Sequence, residues 1–315
     1  NKVMTNKLSF NKENNKGVAL ITAMMIVAVT GIISTNLLWD NILDTRRTMT
    51  TLNRDQAIQV ALGAESWIMK LLRDDALNSQ SDHLNEFWAK NLPVLPIDGG
   101  EIFGEITDLQ SKFNVNNLVT TDGKINQNQL EQFQRLLKIL NIQTNIAAEI
   151  VDWIDPDQYP TFPGGAEDDN YTKMTPPYRT ANQPMISISE LLSLNSVDTY
   201  IYNTLKPFIT ALPVTTKINV NTAASLVLES LDAGITKNDT QRLTQERMPS
   251  GFSNITNSFK SLLLPENLTN ISNKSNYFQL KLMIRIDTVT MTMFSNIKRD
   301  QNGNTSISMR SFGGV

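Results

Sequence analysis

The 315-residue chain has no cysteine, which removes disulfides, thiol nucleophiles and cysteine-ligated zinc from consideration. It has one histidine, His83, inside the polar stretch Ser79-Gln80-Ser81-Asp82-His83. A lone imidazole there reads as a solvated surface residue, and its isolation argues against a histidine-activated nucleophile and a two-histidine metal site. Positive charge is also scarce. The chain carries 28 Lys and Arg against 31 Asp and Glu; residues 1–17 hold four Lys and one Glu, which leaves 24 against 30, near −6, for the rest. An acidic body argues against a phosphate-backbone binder, so no nucleic-acid partner is expected.

Charge of either sign is missing from Val18 to Trp39. At about 1.5 Å per residue this run spans roughly 33 Å as a helix, the hydrocarbon thickness of a bilayer. A secretory signal has a shorter apolar core, about 7 to 15 residues, and is cut beyond it after an Ala-x-Ala-like site. Here the small residue lies on the near side. Gly17 separates Lys2, Lys7, Lys12 and Lys16 from the apolar run, where a type III signal peptide is cut, between Gly17 and Val18. The run is expected to survive processing as a membrane helix. No Lys or Arg follows it until Arg46, so the leader is expected to stay cytoplasmic and the bulk of the chain to lie across the membrane. Trp39 suits an interfacial anchor. The first residue is Asn1 rather than Met, so a few residues are expected upstream.

Helical periodicity continues towards Asp75. Ala57, Val60, Ala61, Ala64 and Ile68 recur at spacings of three and four and form one apolar stripe. A strand is expected over Gly100–Leu109. The strongest strand lies far away, where Phe278, Leu280, Leu282, Ile284 and Ile286 alternate with Gln279, Lys281, Met283, Arg285 and Asp287 in period two. Val289, Met291 and Met293 repeat the alternation, Asp300-Gln301-Asn302-Gly303 supplies a turn, and Ile307, Met309 and Phe312 offer a last strand. Between these β regions the character is helical: Leu130 to Leu140 after Asn126-Gln127-Asn128, Ile146 to Ile154, Ser189 to Leu194 and Ala223 to Leu231. Strand, helical block, strand is the pattern of a helical domain inserted into an α/β core. The tryptophans Trp67, Trp88 and Trp153 are expected in cores.

From Ile139 to Thr172 there are seven carboxylates (Glu149, Asp152, Asp155, Asp157, Glu167, Asp168 and Asp169) and no Lys or Arg. Such a run is either a solvated acidic loop or a cation site. Oxygen ligands at irregular spacing suit Ca²⁺ better than Mg²⁺ or zinc, and no EF-hand pattern is present. Asp155 and Asp157 as a catalytic pair would need a cleft and a raised pKa, so no enzyme activity is expected. Ile218-Asn219-Val220-Asn221-Thr222-Ala223 has the opening of a helix-hairpin-helix repeat but lacks the Gly-rich turn and basic face that would follow. Asn221 or Thr222 is expected to cap a helix instead.

Basic leader, Gly before the apolar helix, amphipathic continuation and C-terminal meander resemble the pilin and pseudopilin superfamily. Greater specificity comes from ordered segments: Lys112-Phe113-Asn114-Val115-Asn116, Asp152-Trp153-Ile154-Asp155-Pro156-Asp157, Gly164-Gly165-Ala166-Glu167-Asp168, Pro177-Tyr178-Arg179, Ala181-Asn182-Gln183-Pro184, Glu190-Leu191 and Ile218 to Ala223. Over essentially its whole length the chain resembles the K-type minor pseudopilins of the type II secretion system. The resemblance implies an α+β fold: a pilin-like long N-terminal helix packed on an antiparallel sheet, with a large inserted α-helical domain. The divisions expected are a leader over 1–17, a transmembrane helix over 18–39, an amphipathic helix and first part of the core over 40–116, the inserted domain over 117–266 and the meander over 267–315.

The same resemblance implies a single-pass protein of the bacterial inner membrane, mostly periplasmic, at the tip of the pseudopilus, supporting export of folded proteins. A type IV pilus-like minor pilin or a DNA-uptake protein is the alternative. Implied partners are the I, J and H types of minor pseudopilin, the prepilin peptidase and the inner-membrane secretion platform. Pilins of the filament shaft carry Glu at the fifth mature position; here it is Thr22, as expected of a subunit with none above it. Calcium is implied near the acidic motifs, with Asp157, Glu167 and Asp168 as ligands and Asp155, Asp169 and Asn182 as further candidates. The stripe Ala57, Val60, Ala61, Ala64 and Ile68 is expected to contact partner subunits.

Overall fold

The computed structural model describes residues 15–90 and 93–313; the leader residues 1–14, with Lys2, Lys7 and Lys12, fall outside the described residues. Helix α1 runs Asn15–Asn78. Residues up to Gln56 form one compact unit and Ala57–Val315 a second.

In the first unit every apolar residue from Val18 to Trp39 is exposed. Hydroxyls in this stretch bond back to their own helix, Thr22 to the Ala19 carbonyl at 3.0 Å and Thr35 to that of Gly31 at 2.9 Å. A helix facing lipid must satisfy its polar groups internally in this way. Among the described residues α1 is the helix long and apolar enough to cross a membrane.

The second unit is built on a five-stranded antiparallel sheet, β1 (Leu95–Ile97), β2 (Gly100–Asp108), β7 (Tyr277–Ile286), β8 (Val289–Arg299) and β9 (Thr305–Phe312), in the order β1-β2-β7-β8-β9. The period-two pattern read from the sequence decides which face is dry. Phe278, Leu280, Leu282, Ile284 and Ile286 are buried together with Ala57, Ala61, Ile68 and Leu72 of α1 and with Trp88. Alanines on the helix let its backbone approach the sheet. A carboxylate sits in the same face: Glu65, 3% exposed, accepts from Arg310 Nε at 3.1 Å and from Ser295 Oγ.

Two sequence expectations change here. Within the stripe Ala57, Val60, Ala61, Ala64 and Ile68, Ala57 and Ala61 are fully buried against the chain's own sheet and Ile68 nearly so, so these three are not offered to a partner subunit, whereas Val60 and Ala64 are half-buried. Trp67, one residue and therefore about 100° around the helix from Ile68, is exposed rather than core. Trp88 and Trp153 are buried.

Everything between β2 and β7 is an insert. Its elements are β3 (Phe113–Asn114), α2 (Gln127–Ile139), α3 (Ile146–Ile154), α4 (Asp168–Tyr171), a 3₁₀ turn (Ile188–Ser193), α5 (Thr199–Leu205), β4 (Ile209–Thr210), β5 (Ile218–Asn219), α6 (Ser225–Ser230), α7 (Lys237–Glu246), α8 (Ile255–Phe259), α9 (Pro265–Leu268) and β6 (Ile271–Ser272). Asn126 caps α2 through its side chain and Leu130, Phe133, Leu136 and Leu137 carry the buried face. The insert's apolar core begins at Phe113 and reaches Ile271, beyond the expected limits of 117 and 266, because the two-residue parallel pairs β3–β4 and β5–β6 stitch its ends.

Asn221 and Thr222 cap nothing; Ala224 precedes α6 without a side-chain bond. Asn221 Oδ1 instead accepts from the Phe252 amide at 2.7 Å, and Thr222 Oγ1 donates to Asp108 Oδ2 at 2.6 Å. These side chains close a loop against its neighbours. These asparagines are thus internal braces: Asn116 similarly bonds to the Met185 and Leu212 carbonyls, each at 2.9 Å.

Candidate metal centre

Helix α3 stops where the sequence requires it to. Asp155 precedes Pro156, and the residue before proline is driven out of the helical region; Asp155 takes φ −72°, ψ 159°. The chain then loops and returns to Glu167, which precedes α4. Asp152, on the last turn of α3, pins the loop by accepting the Thr161 amide on both oxygens, at 3.0 and 3.1 Å. Gly165 is needed beside it, since a Cβ there would lie 2.1 Å from Asp152 Oδ2 and 2.6 Å from the Thr161 backbone.

This loop brings Asp155, Asp157 and Glu167 together, with one oxygen of each within 4.8 Å of the others. Asp155 and Glu167 are buried and Asp157 is exposed. Asp155 Oδ1, Glu167 Oε1 and Asn182 Oδ1 are buried with no hydrogen-bond partner. Asn182 has a left-handed backbone, φ +47°, and its amide donates to the Trp153 carbonyl at 3.0 Å, which anchors it at the end of α3. Burial and then the neighbouring carboxylates push Glu167 up to about 8 and Asp155 to about 6; burial also raises Asp152. Buried oxygens left unpaired are costly, and crowded carboxylates repel. An all-oxygen set of irregular geometry fits a hard divalent cation of the calcium type better than zinc, which favours histidine and cysteine ligands.

The other acidic residues part company. Asp168 Oδ1 accepts the Thr180 amide at 3.0 Å and its hydroxyl at 2.9 Å, while Oδ2 faces Arg179 Nε at 3.7 Å; it braces the segment after α4 and stands outside the group. Asp169 is exposed in the first turn of α4, also outside. Glu149 is held by the Tyr171 hydroxyl at 2.9 Å and the Asn195 and Ser196 amides at 2.6 and 3.2 Å. Sequence reasoning gave no counter-ion for the acidic run because Arg179 lies seven residues past Thr172.

A second cluster escaped sequence reasoning. Asp75, Asp82 and Glu86 place oxygens within 4.8 Å of one another. Arg299, at the end of β8, enters it: its guanidinium donates to Asp75 Oδ2 at 3.1 Å, to Asp82 Oδ1, and to the Leu72 and Ser275 carbonyls at 3.0 and 2.9 Å. Glu86 accepts from Ser79 Oγ, the His83 amide and Trp88 Nε1. His83 is largely enclosed here, its side chain 18% exposed, rather than solvated.

A helix whose segment from Ala57 packs on an antiparallel sheet, preceded by an exposed apolar stretch, defines a pilin-like protein. Residues 111–214 and 218–281 match the two profiles described as type II secretion system, protein K. The type II secretion system protein K of Pectobacterium carotovorum is 34% identical over 297 residues, 87% of this chain and 90% of that one. Its namesake in Pseudomonas aeruginosa is 32% identical over 320 residues, 96% and 94% of the two chains. The chain belongs to the type II secretion system protein K family. It superposes, with a TM-score of 0.76 and 26% identity, on a chain of the GspK-GspI-GspJ crystal structure from enterotoxigenic Escherichia coli, covering 85% of this chain and 100% of that one.

Proposed function

We propose that this chain is the minor pseudopilin at the tip of a type II secretion pseudopilus, anchored once in the inner membrane with its bulk in the periplasm, where it supports export of folded proteins. The observation that carries the reading is its likeness over the full length of a chain crystallised with GspI and GspJ. Prepilin peptidase cuts between Gly17 and Val18, and the mature helix meets the I-, J- and H-type pseudopilins and the secretion platform. Because Ala57, Ala61 and Ile68 are closed by the chain's own sheet, those contacts fall mainly to the exposed residues of α1 before Gln56. Thr22, bonded to its own helix, asks for no ammonium from a subunit above.

Calcium is held in the insert by Asp155, Asp157, Glu167 and Asn182; what supports this is the three buried oxygens without partners. Bound there, it supplies positive charge that lets buried carboxylates remain ionised, and so fixes the loop after α3.

Coexpression with the I- and J-type pseudopilins tests the assembly: one purified complex containing all three is expected, and elution of this chain alone would overturn the tip reading. Gly17→Asp is expected to leave uncut precursor in the membrane, and normal processing of that variant would remove the peptidase from the account.

A further inference from the structure

On the face of the sheet turned away from α1, Lys281 and Met283 of β7 lie in register with Phe294 and Thr292 of β8. The insert overhangs this face and closes a crevice of about 460 Å³, continuing into a second of about 180 Å³ that shares Ile186, Ala211, Asn296 and Met309. Among the described residues three lysines line the larger part, Lys112, Lys206 and Lys281, and no carboxylate does. Lys112 Nζ reaches only the Lys206 carbonyl, at 3.3 Å, and Lys206 Nζ lies 5.7 Å over the Tyr202 ring. Glu105 stands opposite Lys281 across β2 and β7 without forming an ion pair. Burial and then Lys206 hold the Lys112 ammonium below its usual range. The walls between the lysines mix apolar side chains with amides and hydroxyls such as Gln279, Thr292 and Asn296, and Ile186 and Met283 are 71% and 42% exposed.

We propose that this crevice is a docking site for an acidic, partly apolar segment of another protein. Cations gathered along one crevice gain from incoming carboxylates, most of all at the half-buried Lys112 and Lys281. A bare inorganic anion would use the lysines and leave the exposed Ile186 and Met283 wet; a segment alternating acidic and apolar residues uses both. Three lysines are too few for a nucleic-acid track, and the concave shape excludes a flat membrane surface.

The test uses the full chain in nonionic detergent and the blocked pentapeptide Glu-Val-Glu-Val-Glu as probe. Lysine acetylation read by mass spectrometry should slow about ten-fold at Lys112, Lys206 and Lys281 when the peptide is present, with exposed Lys237 unchanged. The triple variant K112Q/K206Q/K281Q should bind the labelled peptide about ten-fold more weakly, roughly 1.4 kcal/mol, with its melting temperature kept. Protection no greater than at Lys237, or undiminished binding by the variant, overturns the proposal. Equal protection by inorganic phosphate would reduce the crevice to a simple anion site. Protection that rises with protein concentration in the absence of peptide would give it to a second copy of this chain; either result also overturns the proposal.

Discussion

Two triads of carboxylates in this molecule have the same spacing and opposite chemistry. Asp75, Asp82 and Glu86 crowd as closely as Asp155, Asp157 and Glu167, but the first group closes around Arg299 and a set of amide, hydroxyl and indole donors, whereas no basic residue enters the second. Proximity of acids therefore does not identify a cation site. What separates the two is whether the fold itself supplies the positive charge, and the unpartnered oxygens of Asp155 and Glu167 mark the group in which it does not.

The contrast can be broken most forcefully at Arg299. Arg299→Gln strands Asp75 and Asp82 without their cation and should cost about 3–5 kcal/mol, read as a loss of melting temperature that calcium does not restore. A variant melting like the parent would sink the account of that cluster. At the other triad the effect should depend on metal. Calcium at a hundredfold excess over its Kd should stabilise the chain by about 2.7 kcal/mol, and Glu167→Gln or Asp155→Asn should abolish that response. In chelator the same variants should melt no lower than the parent, since each puts a neutral amide in place of a buried carboxyl whose ionisation is disfavoured there; a parent indifferent to chelator would return the loop to plain solvation.

A smaller effect concerns pH. The folded, metal-free chain holds Glu167 protonated up to about 8 and Asp155 up to about 6, above their ordinary 4.5 and 3.8, so it binds more protons than the unfolded chain between those limits. Stability of the metal-free form should then fall as pH rises from about 4.5 to 8. Glu167→Gln should flatten the upper part of that decline, leaving the share due to Asp75, which burial and then Glu86 raise to about 7. Denaturant midpoints across this range decide the point. Asp168→Asn should cost about 1 kcal/mol through Thr180 and keep the calcium response. The exposed Asp169→Asn should stay within about 0.5 kcal/mol. Loss of the calcium response in either of these last two would enlarge the ligand set.

Much of this was legible in the sequence, and the failures have a common cause. Period two over Phe278–Ile286 announced a strand with one dry face because pleating forces alternation. Asn126 announced the start of α2. Helical spacing of three and four over Ala57–Ile68 announced a buried face but could not say whose surface buries it; that depends on strands more than 200 residues later. Asp168 and Asn182 illustrate the limit within the site. Both sit in acidic or amide-rich segments, yet Thr180 folds back to occupy Asp168 while Asn182 is left with a bare oxygen, and no local spacing encodes that exchange. The two-residue pairs β3–β4 and β5–β6 are too short to show any period at all.

Asp108 and Phe278 are partners across β2 and β7 although they stand 170 positions apart in the sequence. Closing such a loop in an unstructured chain carries an entropy that grows as (3/2)RT ln n, about 0.6 kcal/mol for each doubling of length. A folded insert removes most of that search, because its two ends already meet where Leu109 and Tyr277 pack on Leu212. Pairing β2 with β7 is therefore less costly once the insert has folded than before. A lesion buried among its helices would delay closure of a sheet it never touches, and meanwhile leave β2 with an open edge that other chains can pair with.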